Sequence, residues 1–175
     1  MLVLVTGAAG LIGSHIMVAL LKEGHSILAT DINALPPVVT DQIEPYLARV
    51  TVITGDLCNV KFIDELFDAA PATIEGVMHI GGIRSPVGLD PRLVHSINVV
   101  AAYNVMQTAA ARGVRRMVQA SSCNALGLSW TKPEHWGLDF VPINETHPMR
   151  PVSPSISDRG TADIGKEDPY SLSKL

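Results

Sequence analysis

The stretch "VTGAAGLIGSH", residues 5–15, puts three glycines, Gly7, Gly10 and Gly13, where an apolar run gives way to a helical pattern. Before it, "LVLVT" (2–6) has the length and continuous apolarity of a strand buried on both faces. After it, Ile12, Ile16, Ala19 and Leu20 share one helical face, and Gly24 stands where a helix C-terminus would stop. Glycine at such a junction permits a tight turn, lets a pyrophosphate approach the backbone and allows close helix packing. The helix N-terminus then offers N–H groups and the positive end of its dipole. The spacing GxxGxxG departs from the commoner GxGxxG, and three glycines alone also suit an ordinary turn. The surrounding residues decide between the two.

Four further apolar runs follow: "SILAT" (26–30), "VTVIT" (50–54), "GVMHI" (76–80) and "RMVQAS" (116–121), separated by helix-like stretches. Asp90 and Pro91 fit the N-cap and first position of a helix whose apolar stripe is Val94, Ala101, Val105 and Ala109, ending at Gly113. The order βαβαβ predicts an α/β fold, a doubly wound parallel sheet with right-handed crossovers. Ligands of such sheets sit beyond the carboxyl ends of the strands. There the sequence places Asp31 after strand two, Asp56 after strand three, Gly81 and Gly82 after strand four, and Ser121 and Ser122 after strand five. Asp31 stands where a carboxylate accepts hydrogen bonds from the hydroxyls of an adenosine ribose. Each of these residues alone is common in turns; five strand ends carrying small or hydrogen-bonding residues is a pattern.

Composition narrows the function. A chain of 175 residues, 47% hydrophobic and 17% charged, suits one globular domain with a core. A net charge of −4 without basic runs leaves no footprint for nucleic acid or an anionic membrane, and no stretch is long enough to span a bilayer. A small molecule is the expected partner. Cys58 and Cys123 lack metal-type spacing and read as reduced thiols, which points to the cytoplasm and to no metal.

From 129 to 168 the texture changes to Pro, Ser, Gly and Asp without a sustained period, which reads as a long irregular excursion. Within it, "VSPSISDRGTADIGK" (152–166) looks inserted, because deleting it joins "HPMRP" to "EDPYSLSK". A translated intron and a genuine loop beside a site both fit.

Taken in order, "TGAAGLIG", "TGDL", "HIGG", "INVVAAYNVMQTAAARGVRRMVQASS" and "YSLSK" resemble the extended short-chain dehydrogenase/reductase family, the NAD-dependent epimerase/dehydratase group, over almost the whole chain. The resemblance implies a Rossmann-type domain over 1–175 that binds NAD. By it, Gly7, Gly10 and Gly13 hold the pyrophosphate, Asp31 the adenosine ribose, and Asp56 the adenine edge. Gly81 lines the nicotinamide side, Leu11, Ile12, Leu57, Asn98 and Lys174 complete the cofactor contacts, and Ser122, Tyr170 and Lys174 form the catalytic group. It further implies hydride transfer at a hydroxyl of a sugar or nucleotide-sugar, and admits a homodimer in a full-length form.

The chemistry suits those assignments. An ordinary tyrosine titrates near pH 10, so acting as a base at neutral pH takes roughly 4 kcal/mol of selective stabilisation of the phenolate. Lys174, one helical turn from Tyr170, can contribute. The chain departs from the family at His79-Ile80-Gly81-Gly82, where HxAA is usual, and at Leu126, where a tyrosine is frequent. His79 reads as a structural histidine and Cys123 as a small packing residue. Because the family continues past "YSLSK", the chain is expected to be the cofactor-binding part of a longer enzyme. Two other readings are a non-catalytic dinucleotide-binding module or inactive remnant, and an NADPH-dependent carbonyl reductase. Asp31 disfavours the last, since its charge would repel a 2′-phosphate.

Overall fold

Five runs of apolar sequence form five parallel strands: β1 (Leu2–Thr6), β2 (Ser26–Asp31), β3 (Val50–Thr54), β4 (Ile74–His79) and β5 (Arg116–Gln119). The structure is a computed structural model that describes residues 1–85, 87–126, 140–147 and 169–174. The strand order is β3-β2-β1-β4-β5, the doubly wound arrangement the sequence predicts. The order reverses direction at β1, which pairs with β2 on one side and β4 on the other.

The chain divides into two compact units. Met1–Gly82 with Val100–Ala120 form the first, and Ile83–Val99 with Ser121–Leu175 the second. In the first, strand alternation sorts the core into two layers. Leu2, Leu4 and Leu28 pack with Ile63, Leu66 and Phe67 of α3 (Val60–Asp68) and with Val105 and Ala109 of α5 (Ala101–Ala111). Val3, Val5, Ile27 and Ala29 pack with Met17 and Leu21 of α1 (Leu11–Lys22) and with Val39 and Ile43 of α2 (Pro37–Ile43). Each large side chain so buried contributes about 1.5–3 kcal/mol.

The expectation of strands buried on both faces holds for β1, β2 and β4 but not at the sheet edges. All four residues of β5 are exposed, and so are Val52 and Thr54 of β3. An edge strand lacks a neighbour on one side, so its residues are covered less than those of the central strands.

Helix α1 buries Gly13, Ser14, Met17 and Leu21, whereas Ile12 is 60% exposed and Ala19 faces solvent. The buried stripe is therefore rotated by one residue from the predicted one. A Cβ at Gly13 would collide with the Gly7 carbonyl, and this close approach fixes which side of α1 faces down. After Gly24, Arg49 donates 2.8 Å hydrogen bonds to the carbonyls of Leu21 and His25, satisfying groups at the C-terminus of α1.

The second unit contains α4 (Pro91–His95) and α6 (Pro169–Leu172). Asp90 Oδ1 accepts from the Arg92 N–H at 2.9 Å, the predicted N-cap. Between α4 and α5 the helix widens into a π-turn over Ser96–Val100, which the apolar stripe gave no sign of. Pro169 opens α6 as expected; Asp168, its predicted cap, lies outside the described residues. So do the segment 152–166 and all of the excursion 129–168 except 140–147, where Asn144 Oδ1 accepts from the Thr146 N–H at 2.9 Å.

Candidate functional site

Gly7 carries φ +67°, and a Cβ there would lie 2.6 Å from the Gly81 nitrogen, so the turn after β1 and the turn after β4 meet backbone to backbone. Thr6, at the end of β1, locks that contact. Its Oγ1 accepts from the N–H groups of Ile80 and Gly81, each at 3.1 Å, and lies 2.9 Å from His79 Nδ1. With both lone pairs used, the Thr6 proton goes to Nδ1, which places the imidazole proton on Nε2. His79 is thus the buried structural histidine that the sequence suggested. The role of Thr6 was missed; a hydroxyl closing a buried strand next to the glycine turn is its only sequence signal.

Helix α1 has Gly10 as N-cap with no side-chain cap, and its first backbone bond runs from Ser14 N to Gly10 O. The N–H groups of Leu11, Ile12 and Gly13 therefore precede the helical ladder, which is what an anion needs. Leu11 and Ile12, at 72% and 60% exposure, leave that end open. Asp31 borders the same turn: Oδ2 accepts from the Ala9 N–H and Oδ1 from the Asn33 N–H, both at 3.0 Å. Each oxygen keeps a further lone pair for a ligand hydroxyl. Leu57 reaches within 3.5 Å of where a Gly81 Cβ would stand. Asp56 is exposed, and its Oδ1 accepts from the Cys58 N–H at 2.9 Å. Burial, then the Asp56 charge and hydrogen bond, push the Cys58 thiol up from its ordinary value.

In the second unit, Tyr170 is buried and the Lys174 Nζ sits 5.7 Å from its ring centroid. That places the ammonium within cation–π range of the ring. Lys174 lies just past α6 and is half-buried, and that burial lowers its ammonium below the usual lysine value. Ser122 Oγ accepts from the Asn124 N–H at 3.2 Å, holding the short 3₁₀ turn Cys123–Leu126 and leaving the hydroxyl proton to point elsewhere. Cys123, expected to pack, is exposed, because that turn points its own residue outward while Asn124 and Ala125 are buried.

Asn98, implied as a cofactor contact, has its amide engaged within the second unit. Oδ1 accepts from Ile83 N at 2.7 Å, and Nδ2 donates to Ile83 O at 3.0 Å and to Ser173 Oγ at 2.8 Å. Both amide hydrogens are used, and one Oδ1 lone pair remains. Ser121 Oγ donates to the Lys174 carbonyl at 3.1 Å. Neither Ser173 nor Ser121 stood out as a tie to the tyrosine segment. A polar Asn inside the apolar stripe between Val94 and Val105 was the available signal. Among the described residues no group of His, Cys, Asp or Glu could hold a metal, and no helix is long and apolar enough to cross a membrane.

The chain is 32% identical over 178 residues to a UDP-glucose 4-epimerase of Neisseria meningitidis serogroup C, covering 95% of this chain and 49% of that protein. It is 30% identical over 159 residues to UDP-arabinose 4-epimerase 1 of Arabidopsis thaliana, covering 87% of this chain and 35% of that one. It shares its fold with the crystal structure of UDP-glucose 4-epimerase from Bifidobacterium longum in complex with NAD+ and UDP. That match has a TM-score of 0.77 and 21% identity, over 100% of this chain and 46% of that one. The chain thus spans about half the length, or less, of the curated relatives it matches. The model of the NAD dependent epimerase/dehydratase family matches residues 3–175, nearly the entire chain, and the chain belongs to that family.

Proposed function

We infer that this chain carries the NAD-binding and proton-transfer parts of an enzyme acting on a hydroxyl of a sugar or nucleotide-sugar. The residues present suit NAD. The uncapped N–H groups of α1 and the Cβ-free approach at Gly7 and Gly13 suit a pyrophosphate, and the Asp31 carboxylate suits the ribose hydroxyls. NAD, when bound, supplies a two-electron acceptor for the hydrogen on the carbinol carbon.

The chain's own part is the proton. Tyr170 takes it from the substrate hydroxyl and returns it in the reverse step, with Lys174 favouring the deprotonated ring. Ser122 donates its hydroxyl hydrogen to the reacting oxygen, the one proton its turn leaves unassigned. The observation that carries this reading is the Lys174 ammonium 5.7 Å from the Tyr170 ring. The nucleotide-sugar substrate is supported by relatives named for UDP-glucose and UDP-arabinose.

The test has two parts. Calorimetric titration of the chain should show NAD binding more tightly than NADP+; equal affinities would remove Asp31 from the ribose. Conversion of UDP-glucose to UDP-galactose by a full-length form should fall with Ser122→Ala and with Lys174→Ala, and wild-type rates for both would sink the proton-transfer assignment.

A further inference from the structure

Residues 169–174 form one short turn of helix and the turn after it, yet they present both Tyr170 and Lys174. So short a helix has no stability of its own, since isolated helices below about 12 residues are marginal in water. Something outside it must fix its geometry. Two side chains do so among the described residues. Asn98 Nδ2 donates to Ser173 Oγ at 2.8 Å, and Ser121 Oγ donates to the Lys174 carbonyl at 3.1 Å.

The first tie is the more determined. Asn98 cannot be turned over, because Ile83 N can only donate and Ile83 O can only accept, so its Nδ2 must face Ser173. Ser173 Oγ, having accepted from Asn98, donates to the Tyr170 carbonyl at 2.7 Å. The Ser173 N–H is shared between the carbonyls of Pro169 and Tyr170, at 3.1 and 3.0 Å. Both Asn98 and Ser173 are buried, at 3% and 5% exposure, so water does not compete for these bonds. The π-turn over Ser96–Val100 is what the chain forms around Asn98; π-turns are rare and cluster at functional sites.

We propose that Ser173 is a positioning residue: through Asn98 and the Tyr170 carbonyl it holds the backbone that aims Lys174 at the Tyr170 ring. It touches no reacting atom. The inference rests on the reading of Tyr170 and Lys174 as the proton-transfer pair, and deepens it. Ser173→Ala removes the acceptor for a buried Asn98 hydrogen and the donor to Tyr170 O together, so the turn carrying Lys174 loses its register. A misplacement of about 1 Å costs on the order of a hundredfold in rate.

The experiment reads position directly. In the 175-residue chain, nuclear Overhauser contacts between the Lys174 methylenes and the Tyr170 ring should be present, should vanish in Ser173→Ala, and should return in Ser173→Thr, which restores the hydroxyl. Contacts between Leu4 and Leu28 serve as the control for folding. Should Ser173→Ala fail that control, Ser121→Ala, from an exposed side chain, replaces it and should weaken the same Lys174–Tyr170 contacts. In a full-length form, Ser173→Ala should lower kcat by about ten- to a hundredfold with KM for the sugar nearly unchanged.

Persistence of the Lys174–Tyr170 contacts in a folded Ser173→Ala protein, or in Ser121→Ala where that must stand in, would overturn the inference. So would failure of Ser173→Thr to restore them. Tyr170→Phe in the same series separates the two claims. If it keeps normal turnover while Ser173→Ala still loses the contacts, the proton-transfer reading fails and the positioning device stands.

Discussion

Around Gly7 the groups offered to a ligand are main-chain N–H groups, and their freedom depends on atoms that are missing: no Cβ at Gly7 or Gly13, no side chain capping at Gly10. Around Tyr170 the groups proposed to act are side chains, and their placement depends on atoms that are present, the Asn98 amide and the Ser173 and Ser121 hydroxyls. An added Cβ at Gly7 or Gly13 would meet backbone, whereas removing a hydroxyl near Tyr170 would break a tie. Mutations therefore fail in opposite ways in the two regions, which makes the difference measurable.

The largest expected effect is at Tyr170. Tyr170→Phe removes one oxygen and leaves the ring to pack, so the fold and NAD affinity should change little. Turnover by a full-length form should fall about 10²- to 10⁴-fold, the usual worth of a positioned acid or base. Rates within about threefold of wild type would mean that another group carries the proton.

Gly7→Ala is the counterpart by addition. The new Cβ would lie 2.6 Å from the Gly81 nitrogen and 2.8 Å from its Cα, at a backbone φ of +67° that L-residues avoid. Overpacking costs about 1–3 kcal/mol and the left-handed conformation about 1–2, so stability should drop by roughly 2–5 kcal/mol, with NAD binding lost as the turn shifts. Chemical denaturation with and without NAD checks both. A Gly7→Ala variant as stable as wild type would show that the β1 and β4 turns are not packed this closely.

Asp31 belongs to both modes, because its carboxylate braces the Ala9 N–H by being present and offers its spare lone pairs outward. Asp31→Asn keeps one oxygen and turns the other into a donor. The bond to Ala9 or the bond to Asn33 must go, and a ribose hydroxyl loses its anionic acceptor. Charge-assisted bonds are worth about 1.5–3 kcal/mol, so NAD affinity should fall about ten- to a hundredfold. The preference over NADP+ should shrink as the negative charge disappears. Unchanged discrimination would place Asp31 away from the ribose.

What the sequence made legible follows the same division. The glycine turn, Asp31 and the five strands were readable because local rules govern them: continuous apolar runs, a turn that only glycine allows, a carboxylate at a strand end. The stripe Val94, Ala101, Val105 and Ala109 is buried as expected. The rotation of α1 was not legible, because it is set by Gly13 meeting the Gly7 carbonyl, a contact no periodicity encodes. The Thr6 clip and the Asn98–Ser173 tie join residues more than seventy positions apart, and serine, threonine and asparagine give no local sign of where their hydrogen bonds go. Asn98 was singled out, but by resemblance and for a cofactor contact. Its hydrogen bonds to Ile83 and Ser173 emerge only when the π-turn turns its amide toward them.

The smallest effects come from two helix caps, one in each unit, and they offer the finest test of the difference. Asn59 caps α3, its Oδ1 accepting from the N–H groups of Lys61 at 3.0 Å and Phe62 at 3.4 Å. Asp90 caps α4 through the Arg92 N–H and adds a negative charge at the helix N-terminus. Alanine at either position should cost about 1 kcal/mol, a melting shift of roughly 2–4 °C for a chain of this size. The thermal losses should therefore match, while the functional ones should not. Asn59 caps a helix of the first unit, while the ties on the tyrosine segment from Asn98 and Ser121 lie within the second, so Asn59→Ala should leave kcat and the Lys174–Tyr170 contacts as they were. Helix α4 runs directly into the π-turn that holds Asn98, so fraying at Asp90 loosens the grip on Ser173. Pro91, with its fixed φ, limits that fraying, which keeps the expected fall in kcat to about two- to fivefold, with NAD affinity unchanged. Matched melting curves with equal kcat in the two variants would show that the tyrosine segment is not held through Asn98.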